Sequence, residues 1–408
     1  MKVAFVTYGC RLNRAEALDL EAKFVAAGHL VVPLPATAED IAAPDVIIVR
    51  GCSVTAKAQH DCEKDILKLQ QRFPSAQVFP MGCLPGALNP DVLPLVLDST
   101  PAIPTQTSRA YLKVQDGCSG KCAFCIVPQF RGRPVSVPFD AVLARARAFL
   151  DAGFRELVVT GCNLAIYHSQ GKGLADLLAA LATLPSEARS PHRVRLGSLE
   201  PCICDDAILD AFARHNNICR FIHLSLQSGS NRILQAMNRP YPIEKVAAFC
   251  AAATRILGSD LTLGADVIAG FPGETEDDHR LTCAFLSGAS SSDFRFSNLH
   301  VFPYSERPGT PAATMTGAVP REIRLQRARE LEEIGRRSRR DFALGFMGRE
   351  VEVCVEKDGN GWTAEYLRCL LPPGLPRRSL VRVRVVDVKG DMLEGGLSSA
   401  SDALGEEA

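Results

Sequence analysis

Three cysteines stand close together near the middle of the chain, with three residues between Cys118 and Cys122 and two between Cys122 and Cys125 (the central triad). Cysteine thiolates are the usual ligands of four-iron clusters, and three ligands leave one iron open to a substrate or cofactor. A structural zinc site needs a fourth protein ligand, and the nearest histidine, His168, is far away in sequence. The spacing therefore favours an iron–sulfur cluster over zinc and over three thiols that bind nothing.

Three more cysteines are far apart in sequence but share one context. Cys10, Cys52 and Cys83 (the N-terminal triad) each follow a short apolar stretch that is typical of a buried strand. Helical stretches alternate with these strands, which predicts a doubly wound parallel sheet. The carboxyl ends of parallel strands lie at one edge of such a sheet, where ligands bind. We therefore expect the three thiols to meet at that edge, either as ligands or as ordinary buried cysteines.

The composition limits the classes of protein to which the chain can belong. It has 408 residues, of which 47% are hydrophobic and 23% are charged, and its formal net charge is zero. This balance is typical of a folded protein of about two or three domains, and it excludes a polybasic coat over the whole surface. Fifteen cysteines cannot all pair within the chain, and a protein of this size does not need disulfides to fold. No apolar run approaches the ~20 residues of a membrane helix, and residues 1–6 are more typical of a strand than of a signal peptide. We therefore expect a cytoplasmic protein without a membrane partner.

The elements that must position the cysteines begin with the N-terminal sheet and continue into a barrel. Strands of the sheet are predicted at residues 2–7, 46–49 and 77–80, and a proline-rich linker follows at residues 85–104. About six strand–helix units come next, which predicts an open or partial parallel barrel with its chemistry at the carboxyl ends of the strands. The six barrel strands are predicted at residues 110–115, 156–160, 193–196, 221–226, 261–268 and 296–302.

The last region is predicted to be a small all-β module behind a charged helix at residues 321–344. An acidic tail from Ser398 is expected to fray. The strands of the module are predicted at residues 351–356, 362–370 and 380–388. The sequence thus predicts an α/β protein with three domains, at residues 1–100, 101–345 and 346–400.

Several motifs give the chain a resemblance to a known family. The central triad in front of a β/α barrel resembles the radical S-adenosylmethionine enzymes. Seven further motifs narrow this resemblance to the methylthiotransferases, and in particular to those that modify threonylcarbamoyladenosine beside the tRNA anticodon. These motifs are Thr7-Tyr8-Gly9-Cys10-Arg11-Leu12-Asn13, Cys52-Ser53-Val54-Thr55, Met81-Gly82-Cys83, Val114-Gln115-Asp116-Gly117, Thr160-Gly161-Cys162-Asn163, His223-Leu224-Ser225-Leu226-Gln227-Ser228-Gly229, and Phe302-Pro303-Tyr304-Ser305 with Arg307-Pro308-Gly309-Thr310.

The resemblance implies two [4Fe–4S] clusters, S-adenosylmethionine and a tRNA substrate. It implies that the central triad holds the cluster whose open iron chelates S-adenosylmethionine and cleaves it to a 5′-deoxyadenosyl radical. It implies that the N-terminal triad holds an auxiliary cluster, which carries the sulfur to be inserted. It also implies that the β module is an OB-like TRAM domain that binds RNA, and that an electron donor such as flavodoxin or ferredoxin is a partner.

Polar residues and glycines at the ends of the barrel strands are candidates for binding S-adenosylmethionine. Polar groups at these positions can converge on one ligand, and a glycine lets the backbone approach it closely. The alternative is that the residues at the strand ends only form turns. Likewise, the aromatic residue between Cys122 and Cys125 would only pack in the core. The candidates are Phe124, Asn163, Ser198, Glu200, Gln227, Gly270 and Gly273.

Some features leave the function open. Two depart from the family: Arg50-Gly51 precedes Cys52 where Asn-Thr is usual, and the segment from Cys83 to Cys118 is short. The other nine cysteines, such as Cys162, are expected in the core, and the pair Cys202-Ile203-Cys204 is a weak metal signal.

The candidate functions are methylthiolation of a threonylcarbamoyl- or isopentenyl-adenosine in tRNA, the same reaction on an aspartate of a ribosomal protein, and non-catalytic RNA binding by an iron–sulfur protein. Arginines that offer a surface for RNA phosphates, or only a solvated face, are Arg336, Arg337, Arg339, Arg340, Arg377, Arg378, Arg382 and Arg384.

Overall fold

The N-terminal region folds as an open parallel sheet with a helix on each face. The computed structural model describes residues 1–34, 43–87, 103, 107–185, 190–203, 206–289 and 293–396. Strands pair in the order β2-β1-β3-β4, and β3 is apolar throughout Val46–Val49 because helices cover both of its faces. Helix α1 packs through Phe24 against one face and α2 through Leu69 against the other. The elements are β1 (Lys2–Thr7), α1 (Arg11–Ala26), β2 (Leu30–Val31), β3 (Val46–Gly51), α2 (Ala56–Arg72) and β4 (Gln77–Gly82).

The central region is a partial barrel of six parallel strands, as predicted. Two sheets, β6-β5-β7-β8 and β9-β10-β11-β12, are parallel except for the short β6. Gly197 lies between β8 and β9, which together form the third barrel strand. A Cβ at this position would lie 2.8 Å from the Val159 carbonyl oxygen, so the backbones approach closely here. The strands are β5 (Ala110–Asp116), β6 (Val135–Ser136), β7 (Glu156–Gly161), β8 (Arg193–Leu196), β9 (Ser198–Leu199), β10 (Phe221–Gln227), β11 (Thr262–Ala269) and β12 (Phe296–Pro303).

Helices cover the outside of this barrel. Residues at alternate positions of the strands, such as Leu112 and Val114 of β5, are buried under these helices, as the period of two along a strand requires. Each fully buried leucine or phenylalanine stabilises the fold by about 1.5–3 kcal/mol. The helices are α3 (Val127–Arg131), α4 (Phe139–Asp151), α5 (Leu174–Ala182), α6 (Asp206–Arg214), α7 (Asn231–Ala236), α8 (Ile243–Leu257), α9 (Glu276–Ser287) and α10 (Arg321–Leu344).

The C-terminal region is a closed five-stranded barrel with the strand order β13-β14-β15-β17-β16. The prediction of one strand over residues 362–370 is wrong, because the chain turns at Tyr366, where φ is +65°. The final strand was not predicted. The strands are β13 (Glu350–Val355), β14 (Asn360–Thr363), β15 (Arg368–Leu370), β16 (Leu380–Lys389) and β17 (Met392–Gly396).

This module docks on the amino-terminal ends of the central barrel strands. The fully buried Glu156 forms ion pairs with Arg193 and Arg195. The same two arginines donate hydrogen bonds to the carbonyl oxygens of Trp362 (2.6 Å) and Thr363 (2.7 Å) at the end of β14, and Arg195 also donates to that of Ala364 (3.0 Å) in the β14–β15 turn. The turn therefore closes one end of the barrel and forms its floor.

Several predictions fall outside the described residues. They concern most of the proline-rich linker, Cys204, the boundary between residues 100 and 101, and the tail from Ser398. Among the described residues, no helix combines the length and the apolar composition that crossing a membrane requires.

Candidate active site

The central triad lies in the loop between β5 and α3, at the carboxyl end of the first barrel strand. Gly117 opens this loop with a φ of +67°, and a Cβ there would lie 2.1 Å from the Arg133 carbonyl oxygen. The backbone N–H of Gly120 donates to Sγ of Cys118 at 3.2 Å. A Cβ on Gly120 would lie 3.2 Å from Sγ of Cys118 and 3.7 Å from Sγ of Cys122. Both sulfur atoms thus face the same small space.

Two side chains from other barrel loops reach the sulfur atoms of this triad. Nη1 of Arg239 lies 3.1 Å from Sγ of Cys122, and Nδ2 of Asn163 lies 3.6 Å from Sγ of Cys118. Burial raises the pKa of Cys122, and the positive charge of Arg239 opposes that rise. Burial raises the pKa of Cys125 to about 11. Donors and a positive charge directed at sulfur are what a bound thiolate requires.

The N-terminal triad meets at one edge of the first sheet. Cys10 follows β1 and caps α1, Cys52 follows β3, and Cys83 follows β4, and these three strands are neighbours. Asn13 holds the loops together, because its Nδ2 donates to the carbonyl oxygens of Tyr8 (3.0 Å) and Gly51 (2.7 Å). Cys10 is exposed, whereas Cys52 and Cys83 are buried.

One arginine connects the two triads. Arg131 is the last residue of α3, the helix that begins two residues after Cys125. Its Nε donates to Sγ of Cys83 at 3.0 Å, and its Nη2 donates to Oδ1 of Asn13 at 2.8 Å. It also pairs with Glu16 at 3.0 Å. The loop of the central triad is therefore tied directly to the loops of the N-terminal triad.

Glu16 collects the positive charges of this junction. It pairs with Arg131, Lys113 and Arg50. Burial favours protonation of Glu16, but Arg131 and the other two cations outweigh it and lower its pKa to about 2. Arg50, one of the departures from the family pattern, thus has a buried anionic partner beside the N-terminal triad.

Cys162 is not in the core, where it was expected, but at the carboxyl end of β7. Burial raises the pKa of its thiol to about 12, with Arg131 opposing and both Cys118 and Cys83 contributing to the rise. It therefore lies within electrostatic reach of both triads.

The donor sets of both triads fit iron–sulfur clusters. Each offers three soft sulfur ligands, with an N–H or guanidinium donor aimed at one of them. Such outer-shell donors tune cluster potentials. Sequence reasoning missed Arg131 and Arg239, and it included Asn13 only as the last residue of a family motif. Closeness in sequence to a triad could have suggested Arg131 and Asn13, whereas Arg239, in the Asn238-Arg239-Pro240 turn, is far from both triads in sequence.

Two of the predicted S-adenosylmethionine contacts, Glu200 and Asn163, lie next to the central triad. Glu200 pairs with Arg239, which contacts Cys122. Asn163 contacts Cys118 and also accepts from the backbone of Ala165. Ser198 is exposed on β9, and Gln227 ends β10 with a φ of +72°.

The other three candidates have protein neighbours that account for them without a ligand. Phe124 packs in a cluster with Met237 and Phe271. A Cβ on Gly270 would lie 2.3 Å from Cγ of Arg324, and the Gly273 N–H donates to the Gly317 carbonyl oxygen at 2.7 Å. Contact of these three residues with S-adenosylmethionine stays a prediction.

Comparison with known proteins places this arrangement in context. Residues 112–286 match the family described as the Radical SAM superfamily, and residues 2–95 match the uncharacterized protein family UPF0004. A protein of Aquifex aeolicus named threonylcarbamoyladenosine tRNA methylthiotransferase MtaB is 31% identical, over 90% of this chain and 96% of that protein. A protein of Cereibacter sphaeroides named tRNA-2-methylthio-N(6)-dimethylallyladenosine synthase is 30% identical, over 88% of each chain.

Among solved structures, the chain is similar to a radical S-adenosylmethionine methyltransferase, TsrM from Kitasatospora setae, with cobalamin and a [4Fe–4S] cluster bound. The TM-score is 0.52 and the identity is 14%, over 76% of this chain and 77% of that chain. This likeness concerns the fold alone.

Proposed function

Because the chain belongs to the radical S-adenosylmethionine methylthiotransferase family, we propose that it methylthiolates C2 of N6-threonylcarbamoyladenosine beside the anticodon of tRNA. The observation that carries this proposal is the pair of cysteine triads joined through Arg131. Two open sites for iron, side by side, suit a reaction that must both activate a carbon and deliver sulfur to it. A tRNA substrate would place the reaction in the cytoplasm.

Each cysteine triad would hold one [4Fe–4S] cluster. When bound, the two clusters and S-adenosylmethionine supply radical chemistry and a sulfur source. Cys118, Cys122 and Cys125 would be the ligands of one cluster and Cys10, Cys52 and Cys83 those of the other. Arg239 and Gly120 direct N–H donors at the first group, and Arg131 directs one at the second.

The surrounding residues would bind and orient S-adenosylmethionine. Glu200 and Asn163 have the best position, because Asn163 contacts Sγ of Cys118 and Glu200 pairs with Arg239, which contacts Sγ of Cys122. The other proposed contacts are Ser198, Gln227, Phe124, Gly270 and Gly273. A flavodoxin or a ferredoxin would supply the electrons.

The three predicted domains would divide the work. Residues 1–100 would carry the auxiliary cluster, residues 101–345 the radical chemistry, and residues 346–400 a TRAM-like contact with RNA. Arg382 and Arg384 are exposed on β16, but Arg377 and Arg378 contact Ser108 and Thr107 of the central region. The RNA phosphates would therefore meet Arg382, Arg384 and the exposed arginines of α10 rather than Arg377 and Arg378.

A second candidate substrate is dimethylallyladenosine (isopentenyladenosine), because relatives named for that nucleoside are nearly as similar as those named for the threonylcarbamoyl nucleoside. The two substituents differ in charge, since threonylcarbamoyl carries a carboxylate and dimethylallyl does not.

The deciding experiment is mass spectrometry of tRNA nucleosides from cells with and without the gene. We expect loss of the 2-methylthio form of threonylcarbamoyladenosine and accumulation of its precursor. The wild-type gene and a Cys202→Ser control should restore the modification, and Cys52→Ser should not. Loss of only the dimethylallyl species would favour the second candidate, and an unchanged profile would refute both.

A further inference from the structure

The inner side of the barrel contains an arginine without an anionic partner. Arg11 is the first residue of α1 and directly follows Cys10. Its guanidinium carbon lies 5.0 Å from the ring centre of Tyr366, on the barrel floor, and 5.8 Å from that of Phe221. Among the described residues, no carboxylate forms an ion pair with Arg11. The nearby Arg50, Arg131, Arg195 and Arg239 each pair with a glutamate.

The charge of Arg11 acts on the titratable groups around it. Burial alone would raise the pKa of the Tyr366 hydroxyl, but Arg11, followed by Arg109, outweighs burial and lowers this pKa. Burial lowers the pKa of His223, and Arg11 adds to that effect against the opposing influence of Asp266. A positive charge that no described carboxylate neutralises favours an anionic ligand.

A hydrogen-bonded cluster of two histidines and an aspartate lies beside Arg11, on three neighbouring strands. Oδ1 of Asp266 on β11 lies 3.0 Å from Nε2 of His223 on β10 and 3.2 Å from Nδ1 of His300 on β12. An ionised carboxylate only accepts hydrogen bonds, so both imidazoles donate to it. Gly264 makes room for His223, because a Cβ there would lie 2.3 Å from Nδ1 of that ring.

The cluster is buried at one end and open at the other. The side chain of His223 is 3% exposed, that of Asp266 is 23% exposed and that of His300 is 49% exposed. Since Asp266 engages Nδ1 of His300, Nε2 of this ring is left to bond a ligand, and no described residue contacts it through a hydrogen bond. The buried pair therefore positions an exposed ring.

We infer that Arg11 and His300, with His300 held in place by Asp266 and His223, bind a carboxylate on a substituent of the substrate nucleobase. This inference rests on the proposed function and names the feature of the substrate that the enzyme selects. A threonylcarbamoyl group offers a carboxylate to Arg11 and a hydroxyl or carboxylate oxygen to His300. A dimethylallyl group offers neither, and it would leave the guanidinium without an anionic partner.

A divalent metal is the competing occupant. The ligand atoms of His223, Asp266 and His300 lie within 4.8 Å of one another, and two imidazoles with a carboxylate suit zinc or iron. The positive charge of Arg11 beside the cluster opposes a cation and attracts an anion, so the carboxylate is favoured.

The test compares two anticodon stem-loop RNAs of one sequence on the full-length, anaerobically reconstituted enzyme. One RNA carries N6-threonylcarbamoyladenosine and the other carries its methyl ester, which differs in charge and keeps the hydroxyl. We expect the wild type to bind the carboxylate form about 10- to 100-fold more tightly, which is the usual worth of a hydrogen bond to a charged group. Arg11→Ala should abolish this preference by weakening only the carboxylate form, and Arg11→Lys should retain part of it.

Matched controls separate this effect from damage to the fold or the clusters. Arg14→Ala removes an exposed arginine from the same helix and should keep the full preference. Arg11→Ala could lose iron because Arg11 directly follows Cys10. His300 is far in sequence from the six cysteines, so His300→Gln tests the same site even in that case. Iron content and the visible spectrum are measured for every variant.

The outcomes distinguish the two hypotheses. If the wild type methylthiolates neither RNA, the proposed function fails. If it methylthiolates the threonylcarbamoyl RNA, but Arg11→Ala and His300→Gln both keep the wild-type preference for the carboxylate, the proposed function stands and this receptor is refuted. About one equivalent of bound zinc or other non-cluster metal that is lost in His300→Gln would also refute it.

Discussion

At the scale of single residues, glycines set how closely the loops of the N-terminal triad approach one another. Gly9 has a φ of +90°, and a Cβ there would lie 2.7 Å from Cβ and 2.9 Å from Sγ of Cys52. A methyl group at this position would displace the Cys52 sulfur from its place beside Cys10. Gly28 has a similar φ of +80° but has no atom within 4 Å of its Cβ position.

We therefore predict different outcomes for alanine at these two glycines. Both substitutions should cost about 1–2 kcal/mol because of the positive φ. Only Gly9→Ala should also lower the iron content, from about eight to about four atoms per chain if the N-terminal triad alone loses its cluster. Iron analysis and electron paramagnetic resonance after reconstitution measure this. Equal iron in Gly9→Ala and Gly28→Ala would contradict the prediction.

Glu16 gives a prediction about pH at the same scale. Its pKa is about 2 in the folded protein, below the ordinary value near 4.5. A lowered pKa contributes stability above the unfolded value, and this contribution is lost as the pH falls from about 4.5 towards 2. The contribution at pH 7 is about 3 kcal/mol.

Urea unfolding of the wild type and Glu16→Gln measures this contribution. The difference in free energy of unfolding between the two proteins should be largest at pH 7. It should shrink to less than half at pH 3, because Glu16 becomes protonated in the unfolded wild type. The other carboxyl groups affect both proteins alike and cancel in the difference. Glu332→Gln, on the exposed side of α10, should change stability by less than about 0.5 kcal/mol. A difference that does not depend on pH would show that Glu16 is not the titrating group.

At the scale of elements, the sequence predicts what is encoded locally. Apolar runs and helical periodicity placed all six barrel strands, and the helix at Arg321–Leu344 has the predicted ends. The turn at Tyr366 was missed because a tyrosine with a positive φ has no local signal. The sequence could not indicate this turn, since contacts with the barrel, such as Arg339 to the Tyr366 carbonyl oxygen, hold it.

The candidate site shows the same division between local and distant information. Cysteines that directly follow predicted strands could be assigned to one sheet edge, because parallel strands fix where their ends lie. Arg131 could not be assigned, since its partners Cys83, Glu16 and Asp116 come from separate parts of the chain. The histidine–aspartate cluster was missed for the same reason, because it requires the register of three strands.

At the scale of the whole molecule, the three regions are joined by buried charges rather than by apolar contacts alone. Arg131 and Glu16 join the first sheet to the central barrel. Glu156, through Arg193 and Arg195, joins the barrel to the end of β14 and to the β14–β15 turn. This β14–β15 turn contains Tyr366, which lies beside Arg11 of the first region. The barrel floor therefore contains residues from all three regions.

This arrangement predicts that Glu156→Gln loosens the C-terminal module as well as the barrel. Removing one partner of a buried ion pair costs about 3–5 kcal/mol, because Arg193 and Arg195 then lack their anion and hold the carbonyl oxygens of the β14–β15 turn less firmly. Hydrogen exchange should increase in β14 and β15 as well as in β7 and β8. Asp210→Asn, which breaks the exposed pair with Arg214, should change neither. If exchange increased in the barrel alone, the module would be docked independently of Glu156. An increase in both regions would mean that the barrel floor, and with it the position of Tyr366 beside Arg11, depends on one buried carboxylate.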